Sequence, residues 1–387
     1  MNHGFSREVH SERRALAYSL AAVVFLLVAL LGKNTIVWSI PLFILLVIIG
    51  NYAYVFHAAR SIRFENERDG LRLFPGNADT LSFAFTNASR LPVLNASWTA
   101  GILDPDKALG RKGEGPDEYR HLLLMGRETA VFPVRIEAAK RGIVRFPVMR
   151  VRVRDLLGLY TIWLTYEGYV RKEACVYPEP VPFPLPVRLS RMEPGGTPER
   201  MSLFEEPTMP RGSRSYLAGD PFGTIAWKET ARTGELRTKE FERVVLTRWI
   251  LAADLSGESR EHADEEEAEA VFGKLAYAME MAERKGIETE MWLNVRMAGA
   301  RSYLHVPAGS GPAHLSSVLQ TLARLPGSAP VASPVPMYGG IARSAGSGHV
   351  LLHFGAWREE AAGLERLLAK KGVPVHRIGG EKAVEAG

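Results

Sequence analysis

Two uncharged apolar runs near the amino end constrain this chain more than any other feature. Residues 15–31 (ALAYSLAAVVFLLVALL) and 36–56 carry no charged side chain, and only Gly32-Lys33-Asn34-Thr35 separates them. At about 1.5 Å per residue the second run makes a helix roughly 30 Å long, the thickness of a bilayer's hydrocarbon core, and the first is slightly shorter. Two such runs with so short a break predict a transmembrane hairpin. A cleaved signal peptide is the rival for the first run, since Arg7, Arg13 and Arg14 precede it. Against that, no small-x-small site follows and the second apolar run begins almost at once. Arginines flank the pair on both outer sides, with Arg60, Arg63 and Arg68 after it and only Lys33 in the turn. Both ends are therefore expected in the cytoplasm, as a multi-pass protein of the cell membrane with a cytoplasmic body.

The rest of the 387 residues reads as globular protein: 46% of the chain is hydrophobic and 24% charged, an ordinary balance. The net charge of +5 comes without a basic block interleaved with aromatics, which argues against a nucleic-acid groove. Cys175 is the only cysteine, so neither an intrachain disulfide nor a cysteine-based zinc cluster can form. In ACVYPEP it reads as a small strand residue.

From Leu71 to about Tyr177 the pattern has period two, as in Leu81-Phe83-Phe85, Val131 to Ile136 and Val144-Phe146-Val148. It predicts an antiparallel β-sandwich of immunoglobulin-like type, with residues 104–117 as an exposed loop. The proline-rich stretch between Tyr177 and Pro210 predicts an extended connector. Beyond Arg248, strands alternate with helices. A strand at Trp249 to Asp254 precedes a helix over 263–285 with Ala268, Val271, Phe272, Leu275, Met279 and Ala282 on one stripe. Strand-like segments follow at 291–295, 302–306, 350–354 and 373–378, and helices at 312–325 and 358–371. This alternation predicts a parallel, doubly wound sheet, with 326–348 as a long loop or insertion. The resulting division is a terminus and two-helix hairpin (1–62), a β-sandwich (63–180), an extended connector carrying a distinctive run (181–245), and an α/β domain (246–387).

That run, Pro210 to Glu242, is too polar to be core and too regular in its landmarks to be a tether. Gly212 and Gly219 permit sharp backbone turns, and Gly219-Asp220-Pro221 predicts a tight one. Ile225 and Trp227 alternate as in a short strand, and Trp227 to Arg232 starts a helical turn that Gly234 ends. Charges flank these landmarks on both sides, and for an arbitrary run of this composition a solvated, salt-bridged ribbon is the default.

The order Gly212-x-Arg214-x-Tyr216, Gly219-Asp220, Ile225-x-Trp227-Lys228, Ala231-Arg232-Thr233-Gly234-Glu235-Leu236 and Lys239-Glu240-Phe241-Glu242 resembles the signature of the bacterial "domain of unknown function 58" family. Arg141-Gly142 and Asp155-Leu-Leu-Gly158-Leu159 also resemble that family. One departure is that Pro221, Phe222, Gly223 and Thr224 fill the interval where the family usually carries an arginine. The resemblance implies a partner, a MoxR-type AAA+ ATPase, and a role in assembling or maturing envelope-associated complexes. It makes Gly212, Arg214, Tyr216, Gly219, Asp220, Trp227, Lys228, Arg232, Glu235 and Lys239 the expected interaction residues, for recognition or domain locking rather than catalysis.

A second resemblance bears on metal binding. Asp254-Leu-Ser256-Gly-Glu258-Ser259 is similar to the metal-ion-dependent adhesion site of von Willebrand factor A domains, which implies that fold for the last domain. Asp254 and Ser256 fit the pattern, whereas Glu258 stands in the third position and no aspartate occurs after Asp264. Magnesium, the ion for such a site, takes near-octahedral oxygen ligation. Half of the expected ligands are missing, so Asp254 and Ser256 read as a degenerate site that caps the following loop or helix. No nucleophile elbow or His-Glu-x-x-His motif is present, and His305, His314, His349 and His353 sit in or beside apolar segments as structural residues. The sequence thus predicts a non-enzymatic, membrane-anchored interaction protein without a cofactor. The alternative is a divalent-cation-dependent ligand-binding module using Asp254 and Ser256. Oligomeric state is not fixed by the sequence.

Overall fold

The computed structural model describes residues 4–11, 13–30, 35–109, 119–185, 204–217, 222–244, 248–256, 263–296, 302–346 and 348–379. The chain divides into two compact units, Met1–Tyr177 and Pro178–Gly387.

The first unit begins with a strand, β1 (Phe5–Ser11), followed by helices α1 (Arg13–Leu30) and α2 (Thr35–Ser61), which contact each other. Within α2, Ser39–Ser61 is long and apolar enough to cross a membrane; the shorter apolar stretch of α1 is Ala17–Val28. Nine more strands follow: β2 (Ile62–Glu65), β3 (Asp69–Leu73), β4 (Ala78–Asn87), β5 (Val93–Leu103), β6 (Arg120–Leu124), β7 (Thr129–Glu137), β8 (Gly142–Arg154), β9 (Tyr160–Tyr166) and β10 (Lys172–Val176). One sheet has the order β1-β9-β8-β10-β3, with β5 beside β8 and β6 beside β5; the other is β2-β4-β7.

The two sheets meet across an aromatic core because alternation puts Leu81, Phe83 and Phe85 of β4 on one face, all fully buried. The Trp98 ring of β5 lies 5.1 Å from Phe83 and 5.2 Å from Phe85. Along β8 the buried set shifts from even positions (Val144, Phe146) to odd ones (Met149, Val151, Val153), and the register slips opposite, between Gly101 and Leu103 of β5. A bulge of this kind turns side chains to the other face without ending the pairing.

Two features depart from the expected antiparallel sandwich. β3 and β10 run parallel. The amino-terminal segment, expected only as a tail, is a strand: Phe5 to Ser11 pairs antiparallel with Tyr166 to Tyr160.

The second unit holds a hairpin and an α/β sheet. Strands β11 (Phe204–Ser215) and β12 (Arg237–Val244) pair antiparallel, with register shifts at Pro210, so the expected extended connector contains folded structure. Between them lie a 3-10 turn (Phe222–Thr224) and α3 (Trp227–Thr233). The larger sheet is built from β13 (Arg248–Asp254), β14 (Glu288–Leu293), β15 (Leu304–Gly309), β16 (His349–Gly355) and β17 (Val375–Ile378) in the order β15-β14-β13-β16-β17. All neighbours are parallel except β14 and β15, so the segment near 302–306 is an antiparallel edge strand.

Both faces of this sheet are covered, and alternation along β13 shows how. Trp249, Leu251 and Ala253 share a core with α4 (Glu265–Arg284) and α5 (Gly311–Arg324), whereas Ile250 and Ala252 share one with α6 (Val335–Ser344) and α7 (Glu359–Ala369). The α4 stripe read from sequence is buried throughout. Its start is fixed by Asp264, whose carboxylate accepts hydrogen bonds from the Glu266 and Glu267 amides.

α6 corrects the expectation of a loop over 326–348. Prolines 334 and 336 sit at its first turn, where a helix tolerates them, and Met337, Tyr338 and Ile341 are buried at helical spacing. Gly340 lets the helix approach the sheet: a Cβ there would lie 2.6 Å from the Trp292 ring.

Candidate functional site

From β13 the chain moves to β14 on one side and later to β16 on the other, so the carboxyl ends of β13 and β16 flank a topological switch point, the usual ligand position in open α/β sheets. Asp254 closes β13 there and Gly355 closes β16 opposite it. Gly355 has φ 80°, and a Cβ at that position would sit 2.1 Å from the Asp254 carbonyl oxygen, so only glycine fits.

Asp254 is buried, and its Oδ1 accepts from Asn294 Nδ2 at 2.7 Å and from the Ser256 amide at 3.0 Å. The same Asn294 Nδ2 lies 2.8 Å from Ser256 Oγ and 3.2 Å from the Ala332 carbonyl. Asn294 Oδ1 accepts from the Leu255 amide at 2.8 Å, which fixes which end of the side chain is the nitrogen. Arg358, just before α7, donates to the Ser256 carbonyl at 3.0 Å. Asp254 Oδ2 is buried with no hydrogen-bond partner among the described residues. Burial raises the Asp254 pKa above the ordinary carboxylate range, and the Ser256 hydrogen bonds, Arg358 and Asn294 only partly oppose it.

On the α6 side, Tyr338 Oη and His353 Nε2 share a hydrogen bond of 2.9 Å. Burial first, then the Asp254 charge, pushes the Tyr338 pKa well up, so the phenol keeps its proton. The phenol lies close enough to Asp254 for the carboxylate to act on it. Burial and the Arg377 charge lower the His353 pKa to about 4, which leaves the imidazole neutral at physiological pH. The Trp357 ring meets His353 edge-on at 4.9 Å, and Arg377 stacks on Trp357 at 3.9 Å.

Such a donor set does not fit a divalent ion as it stands. The two oxygens named by the sequence, Asp254 Oδ1 and Ser256 Oγ, both face one amide nitrogen, which takes the place a cation would need between them. Gly257, Glu258 and Ser259 lie outside the described residues. Among the described residues no group of three or more His, Cys, Asp or Glu side chains converges on a point. The sequence pointed to Asp254 and Ser256 and placed their bonds near the following loop. It missed Asn294, Tyr338 and Arg358, which lie 38 or more residues away in the chain and carry no local motif. His353 was read as structural, and its buried hydrogen bond to Tyr338 agrees with that.

The other predicted residues form a separate element. Gly212 pairs with Glu240 and Arg214 with Thr238 across the hairpin, and the Tyr216 amide donates to the Leu236 carbonyl. Buried Thr238 also faces buried Ile225 through an isolated bridge, and the Ala226 amide donates to Arg237 O at 2.8 Å. α3 starts at Trp227, as the spacing predicted, and ends at Gly234 in the left-handed conformation. Arg232 pairs with Glu229 at 3.0 Å, one turn away. Trp227 is 64% exposed and Phe222 76%. Lys228, Glu235 and Lys239 are exposed as well. Tyr216 is half-buried, its ring 6.3 Å from that of Phe222. Gly219 and Asp220 lie outside the described residues.

Fold and site together define an α/β protein with a closed polar network at its sheet edge, a separate exposed hairpin and, among the described residues, one helix with the length and composition to cross a membrane. Residues 212–343 match the family described as Protein of unknown function DUF58, which takes in most of the hairpin and the α/β unit through α6, and agrees with the resemblance carried by the signature. The chain is also similar to the "Uncharacterized protein YeaD" of Bacillus subtilis (strain 168), 28% identical over 191 residues. That alignment covers 47% of this chain and 45% of YeaD, so the chain spans less than half the length of this relative.

Proposed function

We propose that this protein is a membrane-anchored, non-enzymatic interaction protein whose signature element docks a partner. The observation that carries the reading is Trp227. An element that satisfies its own interior through Ile225 and Thr238 nonetheless exposes a tryptophan, Phe222 and Leu217 beside Lys228 and Arg232. A large aromatic with neighbouring charge at an exposed position is the composition of an interface anchor. The family resemblance makes a MoxR-type AAA+ ATPase the expected partner, in the assembly or maturation of envelope-associated complexes. An A-type reading of the α/β unit is supported by its antiparallel edge strand beside a parallel core, and an immunoglobulin-like reading of the first unit by its two packed sheets.

The anchor is a two-helix hairpin in this reading. β1 precedes α1, β2 follows α2, and both strands belong to the same folded unit. A chain that leaves one unit and returns to it crosses a bilayer an even number of times, so a spanning α2 calls for a spanning α1. The flanking arginines support a cytoplasmic position for that unit.

The test is photo-crosslinking in intact membranes from a reactive amino acid at Trp227, in the full chain. The expected product is an adduct with an AAA+ ATPase that is lost in Arg232→Ala while the folded chain persists. Adducts confined to the chain itself would sink the docking reading.

A further inference from the structure

The junction between α2 and the first unit's sheets carries a set of exposed leucines that the docking reading leaves unused. Leu91, Leu94, Leu156 and Leu157 are 51%, 43%, 62% and 57% exposed. All four sit on segments hydrogen-bonded to α2 or adjoining it. Asn51 of α2 donates to Asp155 Oδ2, at the start of the turn that carries Leu156 and Leu157. Tyr54 of α2 donates to the Pro92 carbonyl at 3.0 Å and accepts from the Leu94 amide at 3.2 Å. Asn95 Nδ2 donates to the Asp155 carbonyl, which ties the two segments together. Ile48 packs on Leu159, and Tyr52 meets Tyr160 edge-on at 5.2 Å.

The depth of this junction follows from helix length. About 20 residues cross the hydrocarbon core. Counted from Thr35, where α2 begins, that length runs out near Tyr54; the last residues of the apolar stretch Ser39–Ser61 face protein instead, with Val55, Ala58 and Ala59 buried in the first unit's core. Residues 51–54, and with them the leucines, therefore lie at the boundary between hydrocarbon and headgroups. Tyr52 and Tyr54 are the residue type that favours this depth, and Arg60, stacked on Phe56 at 4.5 Å, lies beyond it.

A second observation is independent of depth. Backbone placed against lipid must satisfy its polar groups internally. Both turns do so. The Leu91 amide is met by Ser89 Oγ and its carbonyl by Asn87 Nδ2 and Ser89 Oγ. The Leu157 and Tyr160 amides are met by the two oxygens of the buried Asp155 carboxylate, and the Gly158 amide by the Asp155 carbonyl.

We propose that Leu91, Leu94, Leu156 and Leu157 form a rim that inserts into the bilayer interface around α2 and seats the first unit on the membrane. The proposal rests on the reading of α2 as a spanning helix, and its test separates the two. Single cysteines are placed in a Cys175→Ser background at Leu157, at Leu94, at exposed Leu46 on α2, and at exposed Asp79. Asp79 lies at the far end of β4 from Asn87, about 25 Å along the strand. Each carries an environment-sensitive fluorophore, in the full chain reconstituted into phosphatidylglycerol–phosphatidylethanolamine vesicles. Quenching is read as the stronger of two signals, from phospholipid spin-labelled on the acyl chain near the headgroup and from phospholipid spin-labelled near the chain end, because Leu46, about 16 Å along α2 from Thr35, lies near the bilayer centre.

The expected result is a blue shift and strong quenching at Leu157, Leu94 and Leu46, and neither at Asp79. Quenching at Leu46 with Leu157 and Leu94 behaving as Asp79 overturns the rim and leaves the spanning helix standing. Quenching at Leu157 and Leu94 but not Leu46 overturns the spanning helix and supports a rim that docks from one side. Absence of quenching at all of them overturns both.

Discussion

Replacing Asp254 separates a structural carboxylate from a functional one, because its two oxygens have opposite circumstances. Oδ1 accepts from Asn294 and the Ser256 amide; Oδ2 is buried without a partner among the described residues. Asp254→Asn keeps an acceptor at the Oδ1 position and puts an uncharged amide in place of the unpartnered oxygen. The amide nitrogen is as unpartnered as the oxygen it replaces, but the variant removes the cost of holding a charge at this buried position, so it is expected to be as stable as the parent or more so at neutral pH. Asp254→Ala strands the Ser256 amide and removes one acceptor from Asn294, an expected loss of about 2–4 kcal/mol. The pH dependence gives a second readout. Because the folded-state pKa is raised, stability from this group is fully present below the unfolded carboxylate value and is lost as pH rises through the folded value. The advantage of Asp254→Asn over the parent should therefore grow as pH rises out of the ordinary carboxylate range. Hydrogen exchange of the β13 and β16 amides in the full chain reads the local stability of this site, with about 1.4 kcal/mol per tenfold in rate. An asparagine variant destabilised as much as the alanine one, or one that abolishes magnesium-dependent heat in calorimetry of the parent, would refute the closed-network account and restore the cation-binding reading.

Three further outcomes follow from the same geometry. Gly355→Ala should cost about 3 kcal/mol or more, since it demands both a left-handed alanine and movement of the Asp254 carbonyl, and chemical denaturation measures it. His353 should titrate near 4 by NMR of its ring protons, and because that pKa is lowered, its contribution to stability is present above the unfolded histidine value and declines as pH falls through the folded one. Asp264→Ala should cost about 1 kcal/mol by removing the cap that serves the Glu266 and Glu267 amides, with faster exchange confined to the first turn of α4.

Which parts of this structure were legible in the sequence depends on how far apart the deciding residues lie. α4 was readable because its cap and its apolar stripe fall within one 20-residue window, and the signature helix because Trp227 and Gly234 mark its two ends. α6 was missed because its two prolines and its glycine pair look locally like a loop. What makes it a helix is burial of Met337, Tyr338 and Ile341 against strands, together with the close approach that Gly340 permits to Trp292, neither of which is local. β1 was missed for the same reason: FSREVHS has the alternation of a strand, but its partner, β9, is about 150 residues away.

The site shows the same limit more sharply. Asp254 and Ser256 announce themselves by adjacency, and their pattern suggests a cation between them. The residue that decides the matter is Asn294, at the end of the neighbouring strand, where side-chain spacing alone gives no reason to single out an asparagine. Its orientation is set by the Leu255 amide, its nitrogen serves the two oxygens a metal would share, and it reaches on to the Ala332 carbonyl ahead of α6. One neutral side chain thereby joins the ends of β13 and β14 to the segment entering α6. A divalent ion would meet an amide already directed at both oxygens and would have to displace it. In the docking reading proposed above, an edge closed in this way leaves the exposed charges and aromatics around α3 as the surface that meets the partner.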